Sequence, residues 1–155
     1  MEVPVIRPAA QAHLVENKLH NIRLAAARLH GLEIAPGEIV SFWDEIGEPI
    51  LERGFKDGPS FLGHAVTSSV GGGLCQLSGL LYGVALRAGC AIEERWPHSI
   101  DAYGEGRYLP LGFDATVTFP RKDLVFANAL DVPVCLALVV EDHRVVGSMR
   151  AATDP

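Results

Sequence analysis

Cysteine is scarce in this sequence, with Cys75, Cys90 and Cys135 the only three in 155 residues. The odd count excludes complete pairing, and the spacing excludes a metal finger, so at least one thiol is free. Clustered basic charge is also missing. With 13 Lys and Arg against 19 Asp and Glu, the net charge of -6 argues against a nucleic-acid partner, because phosphate backbones demand a concentrated basic surface. No apolar run approaches the length needed to cross a bilayer. The opening "MEVPVIRPAAQAHLVENK" lacks the basic-then-apolar layout of a signal peptide. The chain as it stands therefore reads as cytoplasmic, although one trimmed of an export signal would look the same. Internal repeats, low-complexity tracts and linkers are absent too. A composition of 48% hydrophobic and 21% charged residues is that of a globular chain, and its length suits a single domain over residues 1–155.

Periodicity divides that domain. From Gln11 to His30, Leu14, Leu19, Ile22, Leu24, Ala26 and Leu29 recur near helical spacing, against Glu16, Lys18, Asn21, Arg23 and Arg28; Gly31 supplies a stop. A core over 31–150 follows. Pro36-Gly37 marks a turn between a short strand and "EIVSFW". "RGFKDGPSFLGHAVTSSVGGG" reads as loop and short hairpin, with "HAVTSSV" as a strand. Gln76 to Arg87 returns to a helix buried on most of its surface. "AIEERW", "YLPLGFDATVTF", "DLVFANA", "VPVCLALVVED" and "RVVGSM" then read as successive strands. This order predicts an α+β fold in which an antiparallel sheet packs against a central buried helix.

The stretch that asks for a chemical explanation is "SSVGGGLCQLSGLLYGVALRAGC", Ser68 to Cys90. Three glycines deliver Cys75 to the front of an apolar helix. Unpaired amides and the macrodipole there favour a thiolate, and the same amides suit an oxyanion. Gly72 and Gly73 would let a substrate approach the backbone. A nucleophilic cysteine needs a base. His98, in "ERWPHSID", follows a strand-like run and a proline, whereas His13, His20, His30 and His143 occupy positions whose default is exposure. An acid would complete the set, either Asp101 or, better, Asp114 of "GFDATV", which sits among apolar neighbours and needs a partner. Gln76 and Ser78 follow the cysteine closely enough to touch a substrate or simply to satisfy the helix's first turn. Arg95 is a fork-shaped donor suited to a carboxylate. Cys90 and Cys135 read as small core residues. Cys75, His64, His98 and Asp114 could instead bind a metal, but no HxH, HxxxH or CxxC pair joins two of them, so this reading ranks below the nucleophile.

Together "NKLHNIRLAAARLHGLEIAPGEIVSFWDEIGEP", "GGGLCQLSGLLY", "EERWPHS" and "YLPLGFDATVTF…DLVFAN" resemble the VanW-like family, named for an accessory protein encoded in some vancomycin-resistance gene clusters. The resemblance runs from about Asn17 to Asn128 in the same order. It marks Cys75, Gln76, Arg95, His98, Ser99 and Asp114 as motif positions. The family's usual serine-threonine pair is broken here, where Gly79 follows Ser78. Such domains often accompany peptidoglycan-associated modules on bacterial surfaces.

The expectation is a thiol-dependent enzyme acting on an amide, ester or related acyl group of a cell-wall-derived or peptide-like small molecule, without a cofactor. Cys75 serves as nucleophile, His98 as base and Asp114 as orienting acid, with Gly72, Gly73, Gln76, Ser78, Arg95 and Ser99 binding substrate. The alternatives are a non-catalytic binder of peptidoglycan fragments in a groove of Trp43, Tyr82, Trp96 and Arg95, and a metal-dependent enzyme using Cys75 or His98 as ligand.

Overall fold

The computed structural model describes residues 1–5, 14–62, 65–97, 112 and 114–152. Among the described residues, nine strands form three antiparallel sheets around two long helices. The first sheet orders β1 (Glu2–Pro4), β9 (Arg144–Ala151), β8 (Val134–Val140) and β2 (Glu33–Ile34) side by side. β8 and β9 form the long hairpin of the sheet, with Leu138 opposite Gly147. The second sheet pairs β3 (Ile39–Ser41) and β6 (Ala91–Glu94) on either side of β7 (Val125–Ala127). The third is a two-stranded ribbon of β4 (Asp57–Leu62) and β5 (Ala65–Val70).

Helices α1 (Val15–Leu29) and α3 (Leu74–Ala88) pack against each other. α1 also lies on β8 and β4, and α3 on β9 and β6. The fold is α+β with antiparallel sheets, as the change of period predicts. α3 is the helix buried on most of its surface, with Leu77, Leu80 and Ala85 fully enclosed. Each leucine stabilises the fold by about 1.5–3 kcal/mol relative to leaving it in water. The close pass of α3 over β9 explains Gly147, where a Cβ would crowd Val84, Leu138 and Leu80.

The hairpin expected in "RGFKDGPSFLGHAVTSSVGGG" is present, with "DGPSFL" forming β4 despite its glycine and proline because β5 supplies the partner. The structure differs from the periodicity in two places. "EIVSFW" does not continue as a strand, because the Ser41 hydroxyl accepts the Asp44 amide at 3.1 Å and caps a short helix, α2 (Phe42–Ile46). Residues 114–117 run without a ladder, and only Thr118 makes a bridge, to Lys122. Asp114 therefore sits on an irregular segment rather than in a strand.

Candidate functional site

The glycine run is a turn joining β5 to α3, and its three residues do different things. Gly73 takes the helix N-cap position at φ 103°, left-handed backbone that disfavours a side chain. Gly72 instead meets another backbone: a Cβ there would overlap Gly58 of β4, and a Cβ on Gly58 would lie 2.6 Å from the Gly72 oxygen. Asn21 of α1 fastens this crossing. It is fully buried, donates to the Lys56 carbonyl at 2.8 Å and the Gly72 carbonyl at 3.1 Å, and accepts the Lys56 amide at 2.9 Å. The backbone approached at Gly72 is thus the protein's own.

On the other side of this turn lies a cavity of about 350 Å³. Gly71, Gly72 and Gly73 form one wall, and the first turn of α3 another, through Leu74, Cys75 and Gln76. Thr116, Val117, Thr118 and Phe119 close a third side, and Trp43 and Lys18 line it as well. Trp43 is held by two anchors, its indole N–H donating to the Lys122 carbonyl at 2.8 Å and its edge meeting Phe119 at a centroid distance of 5.6 Å.

Cys75 is half-buried and borders the cavity. Its sulfur lies 3.5 Å from the Val117 carbonyl oxygen, to which the thiol donates. Burial pushes the thiol above its ordinary value, and the nearby Lys122 and Lys18 ammoniums oppose that push more weakly. The helix start is present as the sequence predicts, but desolvation outweighs it, so the site disfavours the thiolate.

The other motif residues divide. Gln76 is 2% exposed, and its side-chain amide donates to the Pro4 carbonyl. Ser78 is fully buried and directs its hydroxyl to the Cys75 carbonyl at 3.0 Å and the Ala115 carbonyl at 2.5 Å. Both side chains thereby tie α3 to neighbouring backbone. Arg95 grips Gly112 and Asp114: Nε donates to the Asp114 carbonyl at 2.8 Å and a terminal nitrogen to the Gly112 carbonyl at 3.0 Å. The same fork reaches the Asp114 carboxylate at 3.3 Å while its cation lies 4.9 Å above the Tyr82 ring. His98, Ser99, Asp101, His64 and His13 lie outside the described residues. Of the aromatic groove, Trp43 borders the cavity, whereas Tyr82 carries Arg95 and Trp96 faces the Lys122 ammonium at 5.6 Å. Among the described residues, no three His, Cys, Asp or Glu side chains gather as metal ligands, and no helix is long and apolar enough to cross a membrane.

Sequence reasoning missed Lys18, Thr116 and Phe119. Lys18 and Asn21 stand among the polar residues of α1 in the sequence, yet they are 4% and 0% exposed. The signal was their position: they fall three residues apart, in register with Leu14 and Leu24 and beside Ile22, on or next to the apolar stripe.

The family model described as "VanW like protein" matches residues 17–150. The Vancomycin B-type resistance protein VanW of Enterococcus faecalis is 33% identical over 141 residues, 90% of this chain and 51% of that protein. The uncharacterized protein YoaR of Bacillus subtilis is 31% identical over 134 residues, 86% of this chain and 42% of that protein. The chain therefore spans about half the length, or less, of these curated relatives. No solved structure matches it significantly. With the family pattern covering all but the ends of the sequence, the chain belongs to the VanW-like family.

Proposed function

We propose that this chain is a ligand-binding module for a peptide-like fragment of cell-wall origin, held in the cavity between the glycine turn and residues 116–119. The observation that carries this reading is the cavity itself. It joins a glycine wall, an aromatic wall and a thiol whose ionisation burial disfavours, a combination that suits recognition more than attack. Its volume of about 350 Å³ admits a short acyl or peptidyl group. The relation to a protein named for vancomycin resistance supports a ligand from the cell wall.

A second reading keeps the cysteine as nucleophile, with His98 and Asp114 as base and orienting acid in acyl hydrolysis or transfer. It is favoured by the position of Cys75 at the start of α3, open to the same cavity. Calorimetric titration of wild type and Cys75→Ala with soluble peptidoglycan fragments, followed by mass spectrometry of the ligand, separates the two. The binding reading expects saturable binding of similar affinity in both proteins and an unaltered ligand. Turnover by wild type that vanishes in Cys75→Ala establishes the second reading, and wild type that binds no fragment overturns the first.

A further inference from the structure

We propose that the outer edge of β5 receives an extended peptide as a third strand of the ribbon, with one end of that peptide at the cavity. This deepens the reading of the cavity as the site of a peptide-like ligand and rests on it. Three observations lead there.

The first is the hydrogen-bond parity of the ribbon. The Gly71 amide donates to the Lys56 carbonyl at 3.0 Å, one step beyond the pairing of Asp57 with Val70. Opposed residues in an antiparallel ladder alternate between bonded and non-bonded pairs. Gly58 with Ser69 and Ser60 with Thr67 are therefore bonded, whereas Asp57 with Val70 and Pro59 with Ser68 are not. Pro59 fits this parity, since it has no N–H to give. The backbone N–H and C=O groups of Ser68 and Val70 consequently point away from β4. Among the described residues no hydrogen bond takes them up, and Thr67, Ser68 and Ser69 are exposed.

The second is that, among the described strands, this edge alone is undefended. Sheet edges recruit foreign strands unless shortness, proline, charge or a bulge prevents it. β2 has two residues and β3 three. β1 has three and ends in Pro4. β6 carries Glu93 and Glu94, with a register shift between Ile92 and Glu94. β4 lies against α1 and has Pro59 on its outer edge. β5 is six residues long and contains neither proline nor charge. Its ribbon has two strands, the size of sheet that gains most from a third.

The third is where the edge leads. Ser69 and Val70 line the cavity, and β5 runs on into the wall of Gly71, Gly72 and Gly73. The rungs offered by Ser68 and Val70 lie about 7 Å apart, the two-residue repeat of an extended chain. A peptide paired with both ends beside residues of the cavity. The edge recognises such a chain by its backbone amides, as in strand addition generally.

The test titrates N-acetyl-pentaalanine amide and two dimethylated forms of it against wild type and Ser68→Pro. Methyl groups on the second and fourth nitrogens spoil one edge of the extended peptide and leave the other whole. Methyl groups on the third and fourth interrupt both edges. The alternate form should bind like the parent, and the adjacent form roughly tenfold or more weaker, through the loss of one or two backbone hydrogen bonds. Ser68→Pro deletes the outward N–H without removing a bond to β4, so it should melt close to wild type and lose affinity by a similar factor. If that variant does not fold, the methylated pair on wild type decides alone. Equal affinity of the two dimethylated forms overturns the inference and leaves the cavity reading standing. So does a parent peptide that fails to bind while peptidoglycan fragments bind. Failure of the peptide and of the fragments overturns both. Dimerisation of wild type in sedimentation that Ser68→Pro abolishes makes a second copy the occupant and overturns the peptide.

Discussion

Replacing Gly72 by alanine should destabilise the protein more than its backbone conformation alone suggests. The φ of Gly72 is not in the left-handed region, so in an open setting alanine would stabilise by about 0.4–1 kcal/mol through the unfolded chain. Here the new methyl would overlap the carbonyl of Gly58, and backbone cannot rotate away as a side chain can. Overpacking of this kind costs about 1–3 kcal/mol. Any retreat of the turn also stretches the Asn21 bonds to Gly72 and Lys56, each worth about 1 kcal/mol. The sum is about 3 kcal/mol. For a chain of this length that lowers Tm by roughly 6–12 °C. Gly37→Ala is the control: its φ of 78° is left-handed, but nothing lies within 4 Å of the added Cβ. It should cost only about 1–2 kcal/mol, the penalty of that conformation. Urea and thermal melts of the two variants, with Gly58→Ala as the reciprocal of Gly72→Ala, measure the difference. A Gly72→Ala protein as stable as Gly37→Ala would refute the argument that the glycine run exists for a backbone crossing.

Asn21→Leu should cost about 3 kcal/mol or more in urea denaturation, since it strands the Lys56 amide and the Lys56 and Gly72 carbonyls inside the protein; a loss below 1 kcal/mol would show that water replaces the amide. Cys75 should react with iodoacetamide at pH 7 more slowly than a free cysteine, because a raised pKa shrinks the thiolate fraction at neutral pH. The rate should climb only as pH passes above the ordinary thiol range, and a neutral-pH rate matching or exceeding free cysteine would return the nucleophile to first place.

The long elements were legible because their periods are set by burial over many residues. α1 and α3 show helical spacing of leucines, and β8 and β9 show the apolar runs of a hairpin whose alternate residues are buried. The short elements were legible only in part, the hairpin being expected without the bounds of its first strand. β4 carries Gly58 and Pro59, both poor strand formers, and exists because β5 pairs with it and because Gly58 must pass Gly72. α2 begins at Phe42 only because Ser41 caps it while also bonding Asp123, a residue 82 positions away. A five-residue helix decided by such a partner leaves no periodic trace.

The candidate site shows the same limit in chemical form. That Cys75 opens a helix after glycines is a local fact, and the sequence displayed it. Whether the thiol ionises depends on Val117 and on two lysines, from α1 and from the turn before β7, which set its desolvation and its field. Those terms also decide between the two functions, since acyl transfer needs the sulfur ionised whereas recognition does not. Alkylation of Cys75 with and without a saturating peptidoglycan fragment, followed by mass spectrometry of protein and ligand, exposes which holds: a rate that falls in proportion to occupancy with an unaltered ligand fits recognition, and an acyl group trapped on Cys75 fits transfer.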